Sequence, residues 1–283
     1  MMNTTVSRSR GSIQMAQSLW YSAPHTVEMR SHRLPQLPPD WLMIETHYSA
    51  ISRGTEQLIW HGAGPESEWQ RMRAPHQEGD FPFPVKYGYS AAGVVINGPP
   101  EWIGANTFAL HPHQDMFALP IEQVTRMPET VPLKRATLAA NMETALNAVW
   151  DSGVGPGEKI VIVGAGVVGL LVTYLTARIP GTDVTVIDVA PERRAIVEAM
   201  GATFAQAGNA AAPATGDDAD VVFHTSASAL GLASAIDACG FEAALVELSW
   251  YGDRTTGVTL GGAFHAKRLR LMSCQVGHVA TTK

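Results

Sequence analysis

Lys159-Ile160-Val161-Ile162-Val163-Gly164-Ala165-Gly166-Val167-Val168-Gly169 runs from five residues of buried-strand character straight into glycines spaced G-x-G-x-x-G. Apolar residues continue beyond Gly169 until Pro180-Gly181, so the pattern predicts a strand over 159–163 and a helix over about 167–178. In such a turn the first glycine permits the tight bend and the second lets backbone approach a ligand. The third lets helix and strand pack closely. Amides at the helix start then have no partner within the helix and face outward with the positive end of its dipole, a seat for phosphates.

Downstream of this turn the chain alternates. Residues 183–188 read as a second strand, and 191–200 as a helix with Pro191 near its start and Gly201 past its end. Residues 220–225, 243–249 and 268–273 read as strands and 229–239 as a helix, with 205–219 a loop of small residues. This alternation predicts an α/β doubly wound parallel sheet. Asp188 ends the second strand, 19 residues after Gly169. A carboxylate there accepts hydrogen bonds from ribose hydroxyls and repels a 2′-phosphate, which favours NAD; Arg193 nearby leaves NADP open. The structural alternative is that Asp188 caps the helix at Pro191 and Arg193 is solvated. Thr225-Ser226 and Ser249-Trp250 end strands at the carboxyl edge, where ligands bind in such sheets, and are expected to line the nicotinamide half.

Before about residue 145 the chain is rich in Pro, Trp and His, with short segments of strand character at 41–50, 94–96, 107–110 and 116–119. The expected division is a β-rich domain over 12–145 and the parallel-sheet domain over 146–283. Hydrophobic residues make up 46%, charged residues 16%, and the net charge is −6, with no basic cluster to attract nucleic acid or an anionic bilayer. Two cysteines, Cys239 and Cys274, preclude a disulfide framework and fit a reducing compartment. With a polar N-terminus and no continuous apolar span, the expectation is a soluble cytoplasmic protein.

A β-rich half followed by this nucleotide-binding half resembles the medium-chain dehydrogenase/reductase superfamily, in which a GroES-like catalytic domain precedes a Rossmann domain. Arg53-Gly54-Thr55-Glu56 stands where zinc-dependent members have Cys-Gly-Thr-Asp, and Gly88-Tyr89-Ser90-Ala91-Ala92-Gly93 where they have Gly-His-Glu-x-x-Gly. Thr144-Ala145 matches the pair that approaches the nicotinamide, and Asp188, Arg193 and Gly201-Ala202 match the adenosine-binding strand and helix. Residues 51–60 are also similar to an Ile-Ser-x-Gly-Thr-Glu segment of bacteriochlorophyllide dehydrogenases, which oxidise a hydroxyethyl group to an acetyl on a chlorin ring.

The departures set the expected chemistry. Arg53 (or Ser52 on a shifted alignment) replaces the thiolate ligand, Tyr89 and Ser90 replace His and Glu, and no run of four cysteines exists, so no zinc is expected. His111-Pro112-His113-Gln114-Asp115 holds two imidazoles and a carboxylate, read either as metal ligands or as alternating residues of a strand edge. Without zinc, charge on a substrate oxygen must be met by other groups: Thr55 at the family's hydroxyl relay, Tyr89 as a phenol donor, Arg53 as a cation. Each has a structural alternative: Thr55 as a helix cap, Tyr89 as filler, Arg53 paired with Glu56. Residues 66–80 read either as a lid or as a plain surface helix and loop.

The resemblance implies a zinc-independent NAD(P)-dependent oxidoreductase of an alcohol/ketone pair. The alternatives are a quinone or enone reductase and a non-catalytic dinucleotide-binding protein. The chain stops at Lys283, where the family's chain returns to its first domain, so that return is expected to be absent and the third reading stays open. A small-molecule substrate is expected, with a homodimer possible through the edge strand 268–273.

Overall fold

In the computed structural model of this protein the described residues are 15–208 and 218–277. They fall into two compact units divided between Ala139 and Ala140, six residues before the expected boundary at 145. Part of the small-residue loop expected at 205–219, namely 209–217, lies outside the described residues, as do 1–14 and 278–283.

The first unit contains β1 (Met15–Ala23), β2 (Thr26–Arg33), β3 (Trp41–Ser49), α1 (Arg53–His61), β4 (Glu78–Gly79), β5 (Val85–Lys86), β6 (Ala91–Asn97), β7 (Asn106–Ala109), β8 (Met116–Pro120), β9 (Thr125–Arg126) and α2 (Leu133–Ala136). They form two antiparallel sheets, ordered β2-β1-β5-β4 and β8-β3-β6-β7-β9. Leu42, Ile44, Val95, Phe117 and Leu119 from β3, β6 and β8 close one core. Alternation in β1 is partial, because Ser18 interrupts its buried side, and β1 and β2 carry no sequence signal that marked them as strands. Residues 111–115 touch a sheet edge at one point, an antiparallel bridge of Gln114 to Ser18 of β1, and do not continue it as a strand. Pro112 can donate no ladder hydrogen bond, and the segment is a loop between β7 and β8 whose buried imidazoles separate. His111 stacks on Phe117 at 3.9 Å between ring centroids, while His113 turns to Glu56.

The second unit contains α3 (Ala139–Ser152), whose first residue is the last of unit one, then β10 (Lys159–Val163), α4 (Val167–Thr176), β11 (Asp183–Asp188), α5 (Arg194–Ala199), β12 (Thr203–Gln206), β13 (Ala219–His224), α6 (Ala229–Ala238), β14 (Cys239–Glu247) and β15 (Arg270–Ser273). All six strands pair in parallel in the order β12-β11-β10-β13-β14-β15. After β10 the chain winds outward to β12, then crosses back to lay β13 on the other side of β10. The strand order therefore reverses between β10 and β13, and ligands bind outside the carboxyl ends of strands at such a point. Ile160, Ile162, Val186, Val222, Phe223 and Leu245 are buried, as strands covered on both faces require. The helix expected over 191–200 is split: Pro191–Arg193 is a 3₁₀ turn and α5 starts only at Arg194.

Candidate functional site

The glycines of the 164–169 turn each meet the constraint expected of them. Gly164 has φ of +111°, a conformation L side chains rarely adopt. A Cβ on Gly166 would meet nothing within 4 Å, leaving open space above the backbone. A Cβ on Gly169 would lie 1.9 Å from the Gly164 carbonyl oxygen, so only glycine lets α4 pack this closely. The first helical bond runs from the Leu170 amide to the Gly166 carbonyl. The amides of Gly166, Val167, Val168 and Gly169 therefore have no acceptor within the helix. Gly166 and Val167 are exposed and Val168 is half-buried.

Asp188 anchors this loop. Its Oδ2 accepts from the Ala165 amide at 2.6 Å and its Oδ1 from the Ala190 amide at 2.8 Å. The alternative reading, a helix cap at Pro191, is not what it makes: it ties the loop to the following turn while staying half-buried. Arg193 is half-buried in the 3₁₀ turn five residues on. Across the switch point Thr225 donates from Oγ1 to the Gly164 carbonyl at 2.8 Å and Ser226 follows, exposed. The Ser249 hydroxyl accepts from the Ala227 amide at 3.0 Å, and Trp250 beside it is half-buried. The structure thus gathers Gly164, Gly166, Val167, Val168, Gly169, Asp188, Thr225, Ser226, Ser249 and Trp250 along the carboxyl ends of β10, β11, β13 and β14. Thr144 is on α3, not on those strand ends, with Oγ1 donating to the Ala140 carbonyl at 3.3 Å.

In the first unit α1 starts at Arg53 with Ser52 as N-cap. Thr55 is therefore not a cap. Glu56, one residue past the N3 position of a capping box, reaches back in the same way to the Ser52 amide at 2.7 Å. Glu56 is 2% exposed and does not pair with Arg53. It accepts from the Tyr21 hydroxyl at 2.6 Å and meets His113 Nε2 at 2.7 Å, while His113 Nδ1 meets the Ser49 hydroxyl. Burial and then the Glu56 charge push the Tyr21 phenol up, so it keeps its proton. Sequence reading missed this chain. His113 was noticed only as a metal candidate, and Tyr21 sits on a strand that carried no signal.

Tyr89 is half-buried and receives hydrogen bonds from the Ser52 and Thr55 hydroxyls. Burial pushes its pKa up and the Glu56 charge adds to this, outweighing the lowering by those two hydroxyls. The phenol therefore keeps its proton and can donate it. Arg53 is exposed. Ser90 is buried and donates to the Thr137 carbonyl. These groups do not make a zinc donor set: a guanidinium, a phenol and three hydroxyls are poor partners for a metal that selects thiolate, imidazole and carboxylate. The adjacent imidazole and carboxylate, His113 and Glu56, are two ligands and already hold each other. Among the described residues no group of three His, Cys, Asp or Glu could hold a metal ion. Residues 66–80 form a short 3₁₀ turn and a loop that leads into β4, tied by Arg71–Glu68 and Arg73–Asp80 pairs, with Met72 buried and its carbonyl accepting from Tyr87. Among the described residues no helix is long and apolar enough to cross a membrane.

No family model matches the chain. It is 30% identical over 139 residues to an uncharacterized zinc-type alcohol dehydrogenase-like protein of Escherichia coli, a match covering 46% of this chain and 38% of that protein. The chain thus matches well under half the length of that relative. It is 22% identical over 276 residues to D-guloside 3-dehydrogenase of E. coli, covering 89% of this chain and 78% of the relative. With 2-desacetyl-2-hydroxyethyl bacteriochlorophyllide A dehydrogenase of Cereibacter sphaeroides it shares 26% over 196 residues, 61% of this chain and 56% of the relative. The solved structure of L-idonate 5-dehydrogenase from E. coli superposes with a TM-score of 0.76 at 13% identity, covering 94% of this chain and 84% of that one. An E. coli alcohol dehydrogenase in complex with NADH gives 0.73 at 14%, covering 93% and 84%. At these identities the structures speak for the fold, an antiparallel unit followed by a parallel six-stranded one. The sequence relatives are named dehydrogenases or dehydrogenase-like proteins, in keeping with the resemblance to the medium-chain dehydrogenase/reductase superfamily.

Proposed function

We propose that the chain is a zinc-independent NAD(P)-dependent oxidoreductase of an alcohol/ketone pair. The observation that carries this reading is the 164–169 turn at the strand-order reversal, with its glycine cradle open over Gly166 and Asp188 fixed behind it. The Gly166–Gly169 amides would hold a pyrophosphate, and Asp188 would take ribose hydroxyls on the lone pairs its two amide donors leave free. That carboxylate repels a 2′-phosphate, which favours NAD; Arg193 is the one group in the adjoining turn that could serve NADP. Thr225, Ser226, Ser249 and Trp250 border the nicotinamide half, joined from the family pattern by Thr144. Bound nicotinamide supplies the hydride or accepts it.

The proton is the task of this chain's own residues. Tyr89 Oη accepts from Ser52 and Thr55, so its own hydrogen stays free to be donated to a carbonyl oxygen in the reducing direction. Thr55 steadies the phenol, and the exposed Arg53 guanidinium supplies positive charge for a developing alkoxide. The hydroxyls at the places of the family's zinc donors support a route without metal; the relatives named as zinc-type are the reason to test it. Among the described residues β15 is the edge strand of its sheet, where a second copy could add.

The test is a substrate screen with NADH and NADPH on protein of measured metal content. Turnover of ketones by zinc-free protein is expected. Consumption of enones or quinones but not ketones would move the assignment to the reductase alternative. Tight NADH binding with no turnover on any of them would leave the binding-protein reading.

A further inference from the structure

Beyond the phosphate loop, the carboxyl edge of the second unit carries a polar constellation in which Ser226 and Ser249, at the proposed nicotinamide half, join two groups that hydride transfer does not use, His224 and Glu247. His224, the last residue of β13, is fully buried. Its Nδ1 lies 2.9 and 2.7 Å from the two Glu247 carboxylate oxygens, and its Nε2 lies 2.7 Å from Ser226 Oγ. The carboxylate is itself fixed: the Ser249 amide donates to it at 2.7 Å and the Tyr251 hydroxyl at 3.3 Å, while the Tyr251 ring stacks over the imidazole. Ser226 is exposed and sits in the turn from β13 to α6, just before Ala227, which has φ of +51°. A serine on a sharp strand-to-helix turn, a base within hydrogen-bond reach and a half-buried carboxylate on the far imidazole nitrogen define an activated nucleophile by geometry, whatever the fold.

We propose that Ser226, His224 and Glu247 form an acyl-transfer centre for small activated carboxylic esters in the cofactor-free chain. Ser226 Oγ bonds to the ester carbonyl carbon and passes its proton to His224 Nε2. The tetrahedral adduct collapses as the ester C–O bond breaks, and the imidazolium gives that proton to the departing alkoxide. Water, deprotonated by the same nitrogen, then cleaves the acyl-serine, releasing the carboxylic acid and restoring the hydroxyl. Glu247 is a positioning residue: it fixes the imidazole tautomer and balances the imidazolium. The first-turn amides of α6, at Ala229 and Leu230, have no acceptor within the helix and stand three and four residues after Ser226 as donors for the oxyanion.

The surroundings set the size of the acyl group. A Cβ on Gly231 would lie 2.2 Å from Ser226 Oγ and 2.9 Å from His224 Nε2, so the α6 backbone crowds the hydroxyl. On the other side a Cβ on Gly164 would come within 3.0 Å of the Ser226 amide nitrogen. An acetyl group suits that space better than a long acyl chain.

The experiment is pre-steady-state hydrolysis of p-nitrophenyl acetate by the purified chain without nucleotide, with peptide mapping of the trapped acetyl group. A burst of p-nitrophenol with acetate on Ser226 is expected, abolished in Ser226→Ala. Glu247→Gln, close to isosteric, should slow acylation on the order of 10³-fold or more. Ser226→Cys serves as the second nucleophile variant and should carry the acetyl at the same position if the alanine variant does not fold. Acetate found only on other residues, or a burst unchanged in Glu247→Gln protein whose circular dichroism and melting match the parent, overturns the proposal.

Discussion

Gly169→Ala puts the packing of the phosphate loop to a quantitative test. The new methyl would lie 1.9 Å from the Gly164 carbonyl oxygen and 2.7 Å from Thr225 Oγ1. Ordinary contact between such atoms needs about 3.4 Å, so the carbonyl must retreat by roughly 1.5 Å. That carbonyl is backbone, and the same turn is tied by the Gly164 amide to Ile187, by the Ala165 amide to Asp188 and by Thr225 to the carbonyl itself. Rotamer relief is therefore closed, and the cost belongs at the upper end of overpacking, about 3 kcal/mol. For a unit of this size each kcal/mol lowers Tm by about 3 °C, so a fall of about 9 °C is expected in calorimetric or circular-dichroism melts. Gly166→Ala is the control. Its methyl meets nothing, and its backbone is already extended with φ of −73°, so Tm should hold within about 1–2 °C. A Gly169→Ala protein melting with the parent, or a Gly166→Ala protein melting as low as Gly169→Ala, would refute this account of the loop.

Further outcomes follow from the buried polar groups. Glu56→Ala removes the acceptor of Tyr21, His113 and the Ser52 amide in a fully enclosed position; denaturant unfolding should show a loss of about 3–5 kcal/mol. Tyr89→Phe keeps the ring and removes the proton donor, so kcat/KM for carbonyl reduction should fall on the order of 10²-fold with NADH affinity unchanged. Burial pushes the Glu247 carboxyl up, yet hydrogen bonds from His224 and Ser249 and the imidazole charge outweigh it and hold it low. A carboxyl lowered by folding stabilises the protein above its unfolded value, near 4.3, and that stability is lost as pH falls through the lower folded value. Melting temperature should therefore drop more steeply below about pH 4 in the parent than in Glu247→Gln, and parallel curves would count against the pairing.

The second unit was legible because its signals are local. Strand, glycines, helix and acid follow one another within thirty residues, and each glycine's role rests on atoms a few positions away. Boundaries slipped where local geometry gave two answers, as at Pro191, whose preset φ suits a 3₁₀ turn as well as a helix start. The first unit was read less well because its decisive contacts span the chain: Ser49 meets His113 across 64 residues, and Tyr21 meets Glu56 across 35. Hydrophobic period cannot register such pairs. The motif comparison brought Arg53, Thr55 and Tyr89 into view, and the structure unites Thr55 with Tyr89 and leaves Arg53 facing solvent. His224 and Glu247 escaped notice for a related reason. Each lies inside a strand that reads as apolar, and only the parallel register of β13 on β14 sets them side by side.

The central claim is that a nicotinamide dinucleotide sits on the 164–169 turn with Asp188 behind it. Calorimetric titration of the purified chain with NADH and then NADPH tests it most directly. The account predicts one site per chain that binds NADH at least about tenfold more tightly than NADPH, a difference of about 1.4 kcal/mol. No heat with either nucleotide, or equal affinity for both, would contradict it.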